Sequence, residues 1–467
     1  MRKDGREYTM ASTFDLLVTD GLVVNHDGVT AATVAVRDGR IAGVLEPDAR
    51  PDSAQQISAK GLHVLPGLID PHVHLRSPGH EEREDPVSGT SAAAAGGITT
   101  LLEMPISPVA ASSAEGVRKR GEAIGANALI DFGLYGAAGH ENVDLIAEVA
   151  EAGAVAFKTF LTAPPTHREG EFFGLWCLDY SLLRDVMAAT AATGLRHSFH
   201  CENWPMIETL IAQLSAQGRN DGLAHAESRP SIVEDTSVAI MMSLAAEAGG
   251  PVEVVHLSSP RAAQMVKEAK ARGLDVIAET CPQYLFLTDQ VLSVHRGFAK
   301  CNPALRPAEE VEALWSYLHD GTLEFVGSDH SPFRPEEKEG DDIFAIPPGL
   351  PGLESMAPLM LTAVNDGRLS ITDLVRLMST RQAEIFRLPG KGRIAIGNDA
   401  DLTFVDLDAR WTFDRNQCFT KARDVMRIVH GMPMKGRVQR TMVRGETVYE
   451  DGRITGRPGY GRWLKPN

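Results

Sequence analysis

Two histidines stand two residues apart in "GLIDPHVHLRSPG" (67–79), His72 and His74. A strand repeats every two residues, so both imidazoles would leave one face. Four more residues able to do chemistry end apolar runs elsewhere: Lys158 in "AFKTFL", His200 in "HSFHCE", His256 in "VEVVHLSS" and Asp329 in "FVGSDH". Neutral imidazole and carboxylate are good ligands for a divalent ion such as zinc. Taken singly, each has a plainer account. His256 could be a satisfied buried histidine, His200 merely hydrogen-bonded, and Asp329 a helix N-cap or turn residue. An ammonium cannot bind a metal, but a neutral Lys158 amine can take up carbon dioxide to become a carbamate, an anionic oxygen ligand. Two nearby cations would lower the lysine pKa and steady that anion. Otherwise Lys158 binds a substrate anion, or its tip reaches water.

These residues need elements to bring them together. Eight apolar β runs occupy 68–74, 98–104, 129–135, 154–161, 195–202, 252–258, 274–281 and 323–330. Between them lie segments with helical periodicity and Gly stops, such as "ENVDLIAEVAEAG" and "SPRAAQMVKEAKARG". Strand–helix alternation implies parallel strands with right-handed crossovers. Eight such units suit a TIM (β/α)8 barrel; a doubly wound open sheet is the rival α/β arrangement. The six polar residues all fall near carboxyl ends of runs, where a barrel has its one active mouth. Several accidents at equivalent strand ends are less plausible than one site. Both chain ends read instead as short strands broken by Gly turns, as in "FDLLVTDGLVVNHDG" and "QRTMVRGETVYEDGRI". The expected organisation is a small β-sandwich domain from residues 1–64 and 391–467 around a barrel of 65–390.

Acidic residues number 62 against 46 Lys plus Arg, a formal charge of −16 over 467 residues. With no basic run, neither nucleic acid nor an anionic membrane is the expected partner. The five cysteines are scattered without a CxxC, which fits a reducing, cytoplasmic compartment. The charged start contains no signal-peptide or membrane-spanning run; residues 1–9 read as an extension or a frayed terminus.

The chain resembles the amidohydrolase superfamily, in particular its cyclic amidohydrolases: allantoinases, dihydroorotases and hydantoinases. "GLIDPHVHLRSPG", "SGTSAAAAGGITTLLEMP", "FKTFL", "HCEN", "VVHLSSPRA", "ETCPQYL", "GSDHSPF" and "KGRIAIGNDADLTFVDLD" occur in that family's order. The resemblance implies two divalent metal ions, zinc by custom. His72, His74 and Asp329 would hold the more buried ion, and His200 and His256 the other. A carboxylated Lys158 and a hydroxide would bridge them. The implied reaction is hydrolytic opening of a cyclic amide, with Asp329 moving the proton to the leaving nitrogen. A homotetramer or dimer is also implied. Some relatives in the superfamily are non-catalytic assembly proteins, but those typically lose metal ligands, and all six positions are kept here.

The residues that would choose the ring disagree. Arg76 and Asn302 resemble dihydroorotases, in which that arginine holds a carboxylate; Ile106 stands where their pattern has asparagine. "ETCPQYLFL" and "PPGLPGLES" look hydantoinase-like, yet Ala163 replaces their tyrosine. "EMPISP", "HAESRP" and "GSDHSPF" resemble allantoinases, with Gln283 departing from their histidine. The expected substrate is a cyclic ureide, allantoin first, with dihydroorotate, hydantoins, dihydropyrimidines and cyclic imides behind it. Two loops would shape the choice. Residues 161–178 carry Phe172, Phe173 and Trp176, either a lid or simple packing. Residues 344–355 contain Pro348 and Gly349, where glycine would let backbone amides approach a planar ring or would serve only a turn.

Overall fold

From Leu68 to Val326 the chain alternates strand and helix, as its apolar pattern expects. The computed structural model describes residues 13–166 and 168–466, so the expectation for residues 1–9 lies outside the described residues. The strands run β1 (Phe14–Asn25), β2 (Gly28–Arg37), β3 (Arg40–Leu45), β4 (Ser53–Ser58), β5 (His63–Pro66) and β6 (Leu68–Val73). They continue with β7 (Ile98–Glu103), β8 (Asp131–Ala137), β9 (Ala154–Phe160), β10 (Arg196–His200), β11 (Val252–Val254), β12 (Val276–Thr280) and β13 (Phe325–Val326). The last four are β14 (Leu402–Thr412), β15 (Pro433–Val443), β16 (Glu446–Glu450) and β17 (Arg453–Ile454).

Strands β6 to β13 pair in sequence order, all parallel. A bridge between Val73 and His330 brings the two ends of this sheet together, and the His74 N–H donates to the His330 carbonyl at 2.9 Å. The result is the expected barrel. Every residue of β6, β7 and β8 is buried, which is why these runs are nearly continuous in apolar residues instead of alternating. Two runs are shorter as strands than expected: β11 stops at Val254 and β13 at Val326. His256 and Asp329 lie past those ends with φ of +41° and +47°, conformations that leave the ladder and swing the side chain inward. β8 sits two residues later than its apolar run suggested.

Both chain ends build a separate mixed sheet in the order β17-β16-β15-β14-β5-β1-β2-β3, with β4 also beside β1. It is fastened beneath the barrel by a buried ammonium. Lys391 Nζ lies 2.6 Å from Asp131 at the start of β8, 2.9 Å from Asp399 and 2.6 Å from Asp401. These three carboxylates are close enough together to hold a cation, and the lysine already supplies one. Arg444 also pairs with Asp131. Burial pushes the Asp131 carboxyl up, but the charges of Lys391 and Arg444 outweigh it and hold it below its ordinary value.

A second fastening reaches the mouth. Glu84 accepts from the Thr420 hydroxyl and the Ser88 hydroxyl, and the Glu354 carboxylate accepts from the backbone N–H groups of Phe419 and Thr420. The connection between β14 and β15 is thereby held against the barrel. Among the described residues no helix is long and apolar enough to cross a membrane.

Candidate metal centre at the barrel mouth

The six expected residues come from five strands to one place. His72 is the last but one residue of β6 and His74 follows the strand, Lys158 lies in β9 and His200 closes β10, while His256 and Asp329 follow β11 and β13. The four histidines and Lys158 are at most 4% exposed; the Asp329 side chain is the most open at 12%. Asp329 Oδ1 stands 3.3 Å from His72 Nε2 and 3.5 Å from His74 Nε2, and the ligand atoms of these three residues converge closely enough to share a cation. On the other side, His200 Nδ1 lies 2.9 Å from His256 Nε2. The His72 and His256 rings are 5.4 Å apart, so the two clusters adjoin.

The donor set suits metal ions. Burial depresses all four imidazoles, His72 to about 3, so they are neutral with lone pairs free. Among the described residues, Nζ of Lys158 has no hydrogen-bond partner although it is buried at the centre. Such an orphan is costly unless something else meets it. Burial lowers Lys158 to about 8 and raises Asp329 to about 6.

Two residues of the site were not legible in the sequence as such. Glu279, in β12, puts Oε2 2.8 Å from His72 Nδ1. Glu202 puts Oε2 2.7 Å from His200 Nε2, and Arg229 donates to the same oxygen at 2.5 Å. Each carboxylate holds the outer nitrogen of an imidazole, which leaves the inner lone pair for a metal. The available signal was a charged residue within an apolar context, "AETC" and "HCEN".

Arg76 lies beside the centre in a left-handed conformation, φ +59°. Its Nη2 donates to Ser331 Oγ at 2.7 Å, whereas Nε and Nη1 are buried without partners. Burial draws its pKa down to about 9. Asn302 follows, with Oδ1 buried and unpartnered. Gly349 has φ +148°, and a Cβ there would stand 2.7 Å from the Phe333 ring and 2.8 Å from Ser331 Cβ, so glycine is required for this approach. Its N–H is already donated to the Lys300 carbonyl at 2.9 Å, and neighbouring Pro348 is half-buried. In the 161–178 loop, Phe172 is buried against Ile106, Ala137 and Leu175, while Phe173 is exposed. Phe160, which pairs with this loop at Trp176, stacks on His200 with centroids 4.9 Å apart.

Residues 63–448 match the model of the amidohydrolase family. The chain belongs to the amidohydrolase family. An allantoinase of Rubrobacter xylanophilus is 37% identical over 97% of this chain and 98% of its own length. An L-hydantoinase of Paenarthrobacter aurescens is 32% identical over 97% and 98%. Among solved structures, the L-hydantoinase (dihydropyrimidinase) from Arthrobacter aurescens superposes with a TM-score of 0.92 at 32% identity, covering 97% of this chain and all of that one. A D-hydantoinase gives 0.88 at 28% identity, covering 97% and 99%. The expected family and the expected barrel are both found. Membership in this metal-dependent family agrees with a mouth rich in candidate ligands.

Proposed function

We propose that this amidohydrolase opens the ring of a cyclic ureide by hydrolysing a cyclic amide C–N bond, with allantoin the first substrate to test. The observation that carries the reading is the convergence of four neutral imidazoles, a carboxylate and a partnerless lysine amine at one barrel mouth. Allantoinase relatives at 34–37% identity over nearly the whole chain support the substrate. The L-hydantoinase relative and its structural likeness favour a substituted hydantoin as the second reading.

In this reading His72, His74 and Asp329 would hold one divalent ion, His200 and His256 would hold a second, and Lys158, as a carbamate, would supply an anionic oxygen ligand. The imidazole-rich donor set favours zinc. Such ions, when bound, polarise an amide carbonyl and make hydroxide available near neutral pH. The chain's own residues do the rest. Asp329 takes a proton from the attacking water and returns it to the leaving ring nitrogen. The unfilled N–H groups of Arg76 receive a carboxylate or another electron-rich group of the substrate. Asn302, Pro348 and Gly349 would line the same substrate side.

The division into 1–64 with 391–467 and 65–390 belongs to this proposal, supported by the sheet built from both ends. So do a homotetramer or dimer, and a cytoplasmic location, which the five unpaired cysteines support. The deciding experiment is a panel of allantoin, dihydroorotate, dihydrouracil, substituted hydantoins and succinimide with metal-loaded protein. Ring opening of allantoin with the highest kcat/KM is expected. Preference for another ring moves the assignment within the family, and opening of none overturns it.

A further inference from the structure

None of the six residues assigned to the centre comes from β12, yet β12 supplies the side chain that touches both halves of it. Glu279 Oε2 lies 2.8 Å from His72 Nδ1 and 3.0 Å from the backbone N–H of His256. A neutral imidazole has one N–H. Giving it to Glu279 through Nδ1 leaves the Nε2 lone pair directed toward Asp329 Oδ1, 3.3 Å away. The second bond acts on backbone. His256 sits at φ +41°, an unusual conformation for a residue with a side chain, and such turns persist only where surroundings fix them. The Glu279 side chain is 1% exposed. Room for it comes from Gly327: a Cβ there would overlap Glu279 Oε1 and come within 3.2 Å of His72 Cβ. Glu202, by contrast, holds His200 alone.

We propose that Glu279 is a positioning residue that couples the two halves of the centre, fixing the His72 ring and the His256 backbone on one oxygen, with Gly327 kept bare to admit it. The proposal rests on the reading that these histidines hold metal. Its consequence is that losing Glu279 weakens both ions together, whereas losing Glu202 weakens one. The test uses full-length protein: metal content by elemental analysis, zinc affinity of stripped protein against a chromophoric chelator, and the visible spectrum of the cobalt-loaded form. Glu279→Ala is expected to lower affinity about 10–100-fold for both equivalents and to change the cobalt spectrum. Gly327→Ala, which displaces the carboxylate without altering it, is expected to move both readouts the same way. Glu279→Gln keeps the shape but loses the charge, so it is expected to lower both affinities, by less than Glu279→Ala, and it carries the test with Gly327→Ala should the alanine variant not fold. Wild-type protein with two ions, alongside folded variants that bind two with unchanged affinity, overturns this proposal and leaves the metal-centre reading intact. Wild-type protein that takes up no divalent ion overturns both.

Discussion

His330 follows Asp329 in the chain and directs its Nε2 at Glu84, 3.3 Å away, while its Nδ1 accepts the Gly352 N–H at 3.2 Å. The loop bearing Asp329 is thus held from behind by a carboxylate that also grips Thr420 of the β14–β15 connection. Glu84→Ala would leave buried donors unpaired, at a cost of about 1–3 kcal/mol for such a group. The loosened Asp329 should then lower kcat/KM by up to about 10²-fold. Steady-state kinetics beside thermal unfolding check this; a destabilised variant with unaltered kinetics shows the contact to be structural only.

Among the described residues Lys158 has no hydrogen-bond partner in its buried position. Lys158→Met removes the amine that would become a carbamate. Metal content and ring-opening rate are expected to fall together, and added bicarbonate should raise the activity of stripped wild-type protein during reloading while leaving the variant unmoved. A variant that keeps its metal and rate shows that the amine bridges nothing. Chelation of the wild type should abolish turnover, with recovery on adding zinc.

Arg76 offers two buried N–H-bearing atoms, Nε and Nη1, that have no hydrogen-bond partner among the described residues. If the preferred substrate fills them, Arg76→Ala loses a charge-assisted hydrogen bond, about 1.5–3 kcal/mol or roughly 10–150-fold in kcat/KM. Substrates lacking an electron-rich substituent should lose less. Equal kcat/KM for variant and wild type on the best substrate assigns Arg76 to packing against Phe333, whose ring centroid lies 5.2 Å from its guanidinium.

The Lys391 clasp predicts a pH dependence of stability. Lys391→Met leaves buried carboxylates uncompensated, a loss of about 3–5 kcal/mol near neutral pH. The Asp131 carboxyl is held below its ordinary value in the folded chain, so its contribution is present above the unfolded-state pKa of about 4 and is lost as pH falls through the folded value. The gap between wild type and variant should therefore narrow as the pH is taken below about 4. Denaturant titrations at several pH values measure it; a gap constant from pH 7 to pH 3 would falsify the assignment.

Much of the centre was legible because a barrel sends the carboxyl ends of its strands to one mouth. His72, His74, Lys158, His200, His256 and Asp329 could be gathered from that rule without distances. Glu279 could not. It lies within β12, and its contact with His72 spans 207 residues of sequence, so periodicity marks it as charged and buried but names no partner. The short β11 was equally hidden, because Val255 and Leu257 continue the apolar pattern after the ladder has ended at Val254; β13 ends at Val326, where Gly327 and Ser328 already break that pattern. The Lys391 clasp escaped for a related reason: Asp399 and Asp401 are near it in the chain, but Asp131, which joins it to the barrel, is 260 residues away.

The pairing of β5 with β14 sets the order in which the chain can be completed on the ribosome. β1, β2, β3 and β5 emerge first, but the neighbour of β5 begins only at Leu402, after the whole barrel has been synthesised. At roughly 5–20 residues per second the nascent sheet waits tens of seconds with one flank open. An open flank is a template for wrong partners. Here that flank is four residues long and ends in Pro66, which has no N–H to offer an intruding strand.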